Sequence, residues 1–185
     1  MIFLRKKVLQ HLDLLENNLV RLEPLKKEHT EKLNLLVDPE LWKYSFLAPV
    51  KDQSSLDAFV EKFTNDEKKL PLIIEDKKTG LVVGTTTIFK YKPQEQKTSL
   101  GFTRIAKQFQ KSYVNRSAKT LVIDFLFKNT DINRVEFDAA EENTNSNQSL
   151  VKFGAKFFGK DTKTKGDLSL TFNQYCIKRE DWKFK

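Results

Sequence analysis

The chain has 185 residues, of which 33 are basic and 25 acidic, so its formal net charge is +8. Hydrophobic residues make up 39% of the chain. This length suits a single domain with its own core, and the low counts of glycine (6) and proline (5) exclude collagen-like and disordered chains. No apolar run approaches the roughly 18 residues that span a bilayer, and the single cysteine, Cys176, excludes an intramolecular disulfide. A reducing compartment, the cytoplasm, is therefore expected.

The excess of basic residues favours acidic partners such as nucleic acid, anionic lipid or a phosphorylated cofactor. Lysines and acidic residues alternate through much of the chain, however, which is typical of an ordinary solvated surface. The sequence contains no recognisable RNA-binding motif. A nucleic-acid partner is therefore not expected.

Residues 1–14 form an appendage outside the main pattern and are predicted to be helical. Its apolar residues share one helical face: Leu4, Val8 and Leu12. An apolar stripe of this kind needs cover, and the apolar residues of the final strands offer an edge for pairing. A homodimer is therefore predicted, with the alternative that the stripe folds back on the sheet of its own chain.

Residues 15–185 are predicted to form one domain with a mixed α/β fold. Strands are predicted at 18–25, 70–75, 81–90, 98–105, 134–139, 155–159 and 168–177. Helices are predicted at 29–37, 56–63, 117–127 and 146–153, the second capped by Ser54 or Ser55 and the last closed by Gly154. The order β-α-α-β-β-β-α-β-α-β-β predicts a mixed sheet with helices on both faces.

Several kinds of site are excluded by missing motifs. The sequence has no GxxxxGK[ST] or GxGxxG nucleotide loop and no GxSxG nucleophile elbow. The two histidines, His11 and His29, fall in helical segments that are predicted to be exposed, and no Cys/His cluster occurs. A metal site is therefore not expected.

The segment from 100 to 158 carries the most informative pattern. A strand passes into the polar loop Gln110–Asn115 and then into a helix, whose first N–H groups and dipole favour an anion. A second strand leads to a polar run, 143–148, and a second helix. Two parallel strands that separate would open a slot in the sheet for a linear, pantetheine-like arm.

Motifs spread along residues 15–182 occur in the order of a known family. They are the opening strand 15–25, GLVVGTT at 80–86, Val114-Asn115 with Ala118-Lys119, and the N-x-x-S…G-A pattern of Asn143, Ser146 and Gly154-Ala155. In this order they resemble the GNAT acetyltransferase superfamily, specifically the RimJ/RimL-like branch of ribosomal-protein N-terminal acetyltransferases.

The resemblance implies the GNAT fold, a splayed mixed β-sheet, and an N-acetyltransferase that uses acetyl-CoA and no metal. The acceptor would be a primary amine, either a protein N-terminus or a small amine. The resemblance also implies roles for single residues. Backbone groups of Phe102, Thr103 and Ile105 would contact the thioester. The pyrophosphate would be bound by Gln110, Lys111, Ser112, Tyr113, Val114 and Asn115. Asn143 would contact pantetheine, and Ser146 would protonate the leaving thiolate.

The sequence departs from the family pattern at five positions, two of which are Ser117 and Phe158, where the branch usually has glutamate. Tyr113 and Asn115 stand where small residues are typical of the family, and Leu150 stands where many members carry a tyrosine acid. These departures motivate an alternative, a non-catalytic acyl-CoA-binding or regulatory domain. A basic, ribosome- or RNA-associated interaction domain on the same scaffold is a further alternative.

Some roles stay open at the level of sequence. Asn143 and Ser146 are also common residue types at helix caps. Trp42 and Phe46 would either line an acceptor channel or pack in the core. The general base is not assigned: the candidates are Glu75, Glu136, Glu141 and water.

Overall fold

The structure, a computed structural model, describes Leu12 and residues 14–184. The predicted helical stripe with Leu4 and Val8, and also His11, lies outside the described residues. The division into an appendage at 1–14 and a domain at 15–185 therefore stays a prediction. Leu12, the last member of the stripe, is fully buried within the core of its own chain.

Eight strands form one mixed sheet in the order β1-β2-β3-β4-β5-β6-β8-β7. All neighbouring strands are antiparallel except β5 and β6, which are parallel. The predicted mixed α/β fold class is thereby confirmed. The strands are β1 (Leu15–Glu16), β2 (Val20–Pro24), β3 (Lys69–Asp76), β4 (Leu81–Lys92), β5 (Lys97–Ile105), β6 (Arg134–Ala140), β7 (Lys156–Lys165) and β8 (Leu168–Lys178).

Three α-helices and five 3-10 helices connect the strands in the described part of the chain. The α-helices are α1 (Gln53–Thr64), α2 (Tyr113–Asn129) and α3 (Thr144–Phe153). The 3-10 helices are Lys27–Leu36, Pro39–Trp42, Pro93–Glu95, Lys107–Phe109 and Arg179–Asp181. Gly154 ends α3 with a φ of 102°, a left-handed conformation that suits glycine, as predicted.

The first predicted helix is a 3-10 helix, and the prediction that His29 is exposed is wrong. His29 is 4% exposed, and its Nδ1 accepts a hydrogen bond from the backbone N–H of Lys26 at 3.2 Å. This bond holds the ring beneath the first turn, on the side that also buries Leu33 and Leu36. Burial lowers the pKa of His29, and the charges of Glu23 and Glu28 partly offset that effect.

The cap of α1 also differs from the prediction. Asp52, and neither Ser54 nor Ser55, is the N-cap: its carboxylate accepts the N–H of Ser55 at 2.8 Å. The Ser55 hydroxyl in turn accepts the N–H of Asp52 at 3.1 Å. This reciprocal capping box satisfies two N–H groups that the first turn would otherwise leave unpaired.

Both faces of the sheet are covered by helices. Consecutive residues of β3 illustrate this: Leu72 belongs to the cluster beneath α2, whereas Ile73 belongs to the cluster beneath α1. Side chains alternate between the two faces of a strand, so the sheet separates two apolar layers. The face toward α1 and the 3-10 helices is called the α1 face below.

The final hairpin corrects part of the prediction of a free apolar edge. The strand β8 lies between β6 and β7 and is paired on both sides from Phe172 to Lys178, whereas Leu168 and Leu170 pair with β7 alone. The edge of the sheet is therefore β7, which contains Lys156, Lys160, Lys163 and Lys165. Charged residues of this kind reduce edge-to-edge pairing.

Candidate active site

The parallel strands β5 and β6 separate after three paired positions. Their pairing ends at Ser99 and Glu136. Beyond this point β5 continues along β4 to Ile105, and β6 continues along β8 to Ala140. The edge of β5 that faces the gap has no partner strand in the described part of the chain. Its backbone groups can therefore pair with an extended ligand, as the sequence predicted.

A β-bulge lies in the free part of β5. The register passes from Thr87–Gly101 to Thr85–Arg104, so two residues of β5 lie opposite one residue of β4. One of them, Phe102, has a φ of 49°, which is rare for a bulky residue. Its ring packs against those of Phe63 and Phe89, at centroid distances of 5.3 and 4.8 Å. This packing holds the bulge in the segment that was predicted to contact the thioester.

The loop after β5 presents backbone N–H groups at the start of α2. Gln110 ties the loop to β5 through a bond from its side-chain amide to the Ile105 carbonyl at 3.0 Å. Ser112 is the N-cap, and its hydroxyl accepts the N–H of Val114 at 3.2 Å. Lys111 is exposed, with a φ of 57°.

The N–H groups of Lys111, Ser112 and Tyr113 donate no hydrogen bond to any residue that the structure describes. Because the Val114 N–H is already used by the cap, these three groups are among the donors left for an anion. They lie at the positive end of the helix dipole, beside the charge of Lys111. The arrangement suits a pyrophosphate.

Tyr113 replaces a small residue of the family pattern, and its side chain is held by another element. The hydroxyl donates to Asp76 Oδ1 at 2.5 Å, and the Lys78 ammonium lies 4.8 Å from the ring centroid. Asp76 also accepts the N–H and the hydroxyl of Thr79. Burial raises the pKa of Asp76, but these hydrogen bonds outweigh it and hold the pKa below its usual value.

Asn115, the second unusual residue of the loop, bridges the two helices that follow the slot. Its amide group lies 3.5 Å from the Ser149 hydroxyl of α3, and its Oδ1 accepts a hydrogen bond from Lys119. Lys119 is only 9% exposed, and burial lowers its pKa to about 8. A buried amine with a lowered pKa therefore lies nearly two helical turns behind the N-terminus of α2.

The N-terminus of α3 follows the free end of β6. Asn143 is its N-cap and accepts the N–H of Ser146 at 3.1 Å. The Ser146 hydroxyl is half-buried and makes no hydrogen bond to a described residue. Leu150, in the place of the tyrosine acid, is 3% exposed. The structure therefore gives Asn143 a capping role and leaves the Ser146 hydroxyl available.

Asn147 was missed by the sequence analysis. Its amide nitrogen donates to the carbonyls of Ala140 and Asn143, at 2.9 and 2.8 Å. Its oxygen accepts from the Asn173 amide and the Tyr175 hydroxyl, at 2.9 and 2.8 Å. Asn147 therefore fixes the end of β6, α3 and β8 to one another. It lies in a run of similar polar residues, and nothing in the composition of that run distinguishes it.

The three proposed carboxylate bases are all in ion pairs. Glu75 lies 3.9 Å from Arg21, Glu136 lies 2.9 Å from Arg134, and Glu141 pairs with Lys160. Glu136 also occupies the last paired position below the slot. A fourth carboxylate, Asp138, follows it on β6 beyond the point of separation. Sequence analysis missed Asp138 because its partners are distant along the chain.

A groove lies on the α1 face between the 43–50 loop and the β7–β8 turn. Its volume is about 460 Å³, and Phe46, Leu47, Lys165 and Leu168 are among its lining residues. Phe46 packs against Phe172 of β8 with ring centroids 6.0 Å apart. Trp42, by contrast, is 2% exposed and packs in the core. Of the two aromatic residues, only Phe46 lines this groove.

Within residues 14–184, no group of three or more His, Cys, Asp or Glu side chains is arranged to hold a metal ion. Cys176 is free and buried. Among the helices that the structure describes, none is long and apolar enough to cross a membrane.

Comparison with solved structures gives the same fold over most of the chain. A GCN5-related N-acetyltransferase from Brucella melitensis matches with a TM-score of 0.85 and 19% identity, covering 91% of this chain and 80% of that chain. A protein assigned as an acetyltransferase from T. thermophilus matches with a TM-score of 0.81 and 26% identity, covering 92% and 91%. Microcin C7 self immunity acetyltransferase MccE, solved with acetyl-CoA and AMP, matches with a TM-score of 0.74 and 21% identity, covering 88% and 93%.

The sequence itself matches a family model. Comparison with curated protein sequences finds no significant match. Residues 20–156, however, match the model described as "Acetyltransferase (GNAT) domain". The matched span contains the separated strands β5 and β6, the loop before α2 and all of α3. With this match and this architecture, the chain belongs to the GNAT acetyltransferase family.

Proposed function

We propose that this chain is an acetyl-CoA-dependent N-acetyltransferase of the RimJ/RimL-like branch, which acetylates a primary amine. The observation that carries the proposal is the separation of β5 and β6 after Ser99 and Glu136, where a free strand edge leads to the start of α2. The acceptor is either a protein N-terminus or a small amine.

The described residues fit acetyl-CoA along its whole reactive arm. The free edge of β5 from Phe102 to Ile105 offers backbone groups to pantetheine, and we expect the bulged segment to contact the thioester. The unpaired N–H groups of residues 111–113 and the Lys111 side chain offer hydrogen bonds and charge to the pyrophosphate. The acetyl-CoA bound to MccE supports this assignment.

In the proposed reaction, the neutral amine attacks the thioester carbonyl. The C–N bond forms, the C–S bond breaks, and coenzyme A leaves as a thiolate. Backbone N–H groups of β5 stabilise the developing oxyanion, and the Ser146 hydroxyl donates a proton to the thiolate directly or through water. The proton that the amine loses passes to water. Much of the rate gain comes from holding two reactants together.

The alternative is a non-catalytic acyl-CoA-binding domain, because Leu150 occupies the place of the tyrosine acid and is buried. Turnover against a panel of amines and peptides with free N-termini separates the two. Release of coenzyme A thiol in step with acetylated product supports the enzyme. Tight binding of acetyl-CoA, measured by calorimetry, without any product supports the alternative.

We also infer a cytoplasmic location, which follows from the single buried thiol, and a homodimer. Phe157 and Phe158 of the edge strand β7 are 55% and 43% exposed, which supports a contact there despite the lysines of that strand. Light scattering over a concentration series tests the dimer. A monomer mass that persists at high micromolar concentration would contradict it.

A further inference from the structure

Asp138 lies on β6, just beyond the segment that pairs with β5. Pairing ends at Glu136, and Asp138 follows it on the same face. The intervening Phe137 and its neighbours Val135 and Ala139 are buried in the apolar cluster beneath α2. Because side chains alternate along a strand, Asp138 lies on the opposite, α1 face of the slot.

The Asp138 carboxylate is held by two lysines but keeps one oxygen free. Lys90 and Lys163 each donate to Oδ2 at 3.1 Å. Oδ1 accepts no hydrogen bond from a described residue, and it is not among the fully buried atoms that lack partners. The side chain is 17% exposed. A largely buried carboxylate on the α1 face of the slot therefore keeps one acceptor atom that no described residue occupies.

The lysines also fix the charge of this carboxylate. Burial alone would raise the pKa of Asp138, but the nearby charges of Lys90 and Lys163 outweigh it and hold the pKa below its usual value. Asp138 is therefore an anion at neutral pH. Asp161 is the other carboxylate of the cluster, 3.3 Å from Lys163.

The same cluster connects the slot with the groove. The Lys163 ammonium lies 4.9 Å from the ring centroid of Phe172, which packs against Phe46 in the groove wall. Lys165, two residues further along β7 and thus on the same face as Lys163, bonds to the Phe46 carbonyl at 3.3 Å. Contacts through Lys163 and Phe172 therefore link Asp138 to Phe46 of the groove.

We propose that Asp138 binds the acceptor through Oδ1 and selects primary amines that arrive as cations. This inference rests on the proposed function and names the acceptor class for it. The free carboxylate oxygen accepts an N–H of the ammonium group, a charge-assisted hydrogen bond that neutral or anionic acceptors do not make. The bound ammonium then loses one proton to water, which gives the neutral amine that attacks the thioester. Lys90 and Lys163 keep the carboxylate charged and oriented.

Steady-state kinetics with Asp138→Asn tests the proposal, using peptides with a free α-amine and spermidine as acceptors. We expect the KM for the acceptor to rise about tenfold or more, from the loss of a charged hydrogen bond, and the acetyl-CoA dissociation constant to change less than about twofold. Asp124→Asn is the matched control, because Asp124 is also a largely buried, ion-paired carboxylate, 3.8 Å from Lys128, and lies on α2. It should leave both constants within about twofold.

If the acceptor KM of Asp138→Asn stays within about twofold of the wild-type value, the inference is overturned. The proposed function still stands in that case, because the wild type turns over. Absence of acetylation of every probe by the wild-type chain overturns the proposed function and the inference with it. If Asp138→Asn does not fold, inhibition of the wild type tests the same contact. A peptide with a dimethylated α-amine, which stays a cation with one N–H but accepts no acetyl group, should compete with the acceptor at least about tenfold better than the same peptide with an acetylated α-amine. Equal inhibition by the two peptides contradicts the proposal.

Discussion

Tyr113 donates a 2.5 Å hydrogen bond to Asp76, and this contact joins the first residue of α2 to the last residue of β3. The two residues are far apart in sequence, and the contact directs a bulky side chain away from the loop that it follows. A tyrosine at a position that is small in related proteins is therefore compatible with an anion site. The contact also fixes the loop relative to the sheet.

Tyr113→Phe should weaken acetyl-CoA binding several-fold. The substitution removes only the hydroxyl, so the loop before α2 loses its tie to the Asp76 hairpin and must be ordered when the cofactor binds. Calorimetric titration measures the dissociation constant. Tyr44→Phe, on the other face of the molecule, is the control and should not change it. An unchanged constant in Tyr113→Phe would show that the tie is not needed.

Lys111→Glu should weaken acetyl-CoA binding about tenfold, because it replaces an attractive charge at the start of α2 with a repulsive one. Lys128→Glu makes the same change of net charge at the other end of α2, where Lys128 is half-exposed. Its effect should be less than about twofold. Equal weakening by the two variants would mean that only net charge matters and that residues 111–113 hold no pyrophosphate.

Ser146→Ala should lower kcat while changing the acetyl-CoA dissociation constant little. The cap of α3 uses the backbone N–H of Ser146, which alanine keeps, so the helix should remain intact. Asn143→Ala is the informative comparison, because it removes the cap and should cost about 1 kcal/mol of unfolding free energy. A Ser146→Ala enzyme with normal kcat at saturation would leave Ser146 without a role in proton transfer.

Lys119→Met should change stability in a pH-dependent way. Burial lowers the pKa of Lys119 from 10.5 to about 8. Below about pH 8 both folded and unfolded chains hold the proton, and the buried charge costs the folded state about 3 kcal/mol. Between about pH 8 and 10.5 the folded chain releases the proton first, so this cost disappears as the pH rises.

The variant should therefore be more stable than the wild type near neutral pH, and the difference should shrink toward about pH 10.5. Urea unfolding of both proteins at several pH values measures it. Lys128→Met, which removes an exposed lysine of the same helix, should show no such trend. A difference between Lys119→Met and wild type that is constant over this range would contradict a lowered pKa.

Local patterns predicted the parts of the fold that depend on local sequence. The β3–β4 hairpin, helix α2 and the left-handed Gly154 each follow from periodicity or turn chemistry within a few residues. The separation of β5 and β6 was predicted from the strand–loop–helix order. These elements fix the position of the slot.

Contacts between distant residues account for what the sequence did not reveal. Asp138 pairs with Lys90 and Lys163, which lie 48 and 25 residues away, and only the sheet order brings them together. His29 was predicted to lie in an exposed helical segment, but its hydrogen bond from the backbone N–H of Lys26 allows the ring to be buried. Tyr113 looked unfavourable for the loop until its contact with Asp76 was known.

The central claim is that the slot between β5 and β6 holds the acetyl thioester, and a crystal structure with bound acetyl-CoA tests it most directly. We predict that the thioester lies between the β5 segment 102–105 and the part of β6 beyond Glu136. The pyrophosphate should lie within hydrogen-bond distance of the N–H groups of residues 111–113. Acetyl-CoA bound elsewhere, or no binding at millimolar concentration, would contradict the claim.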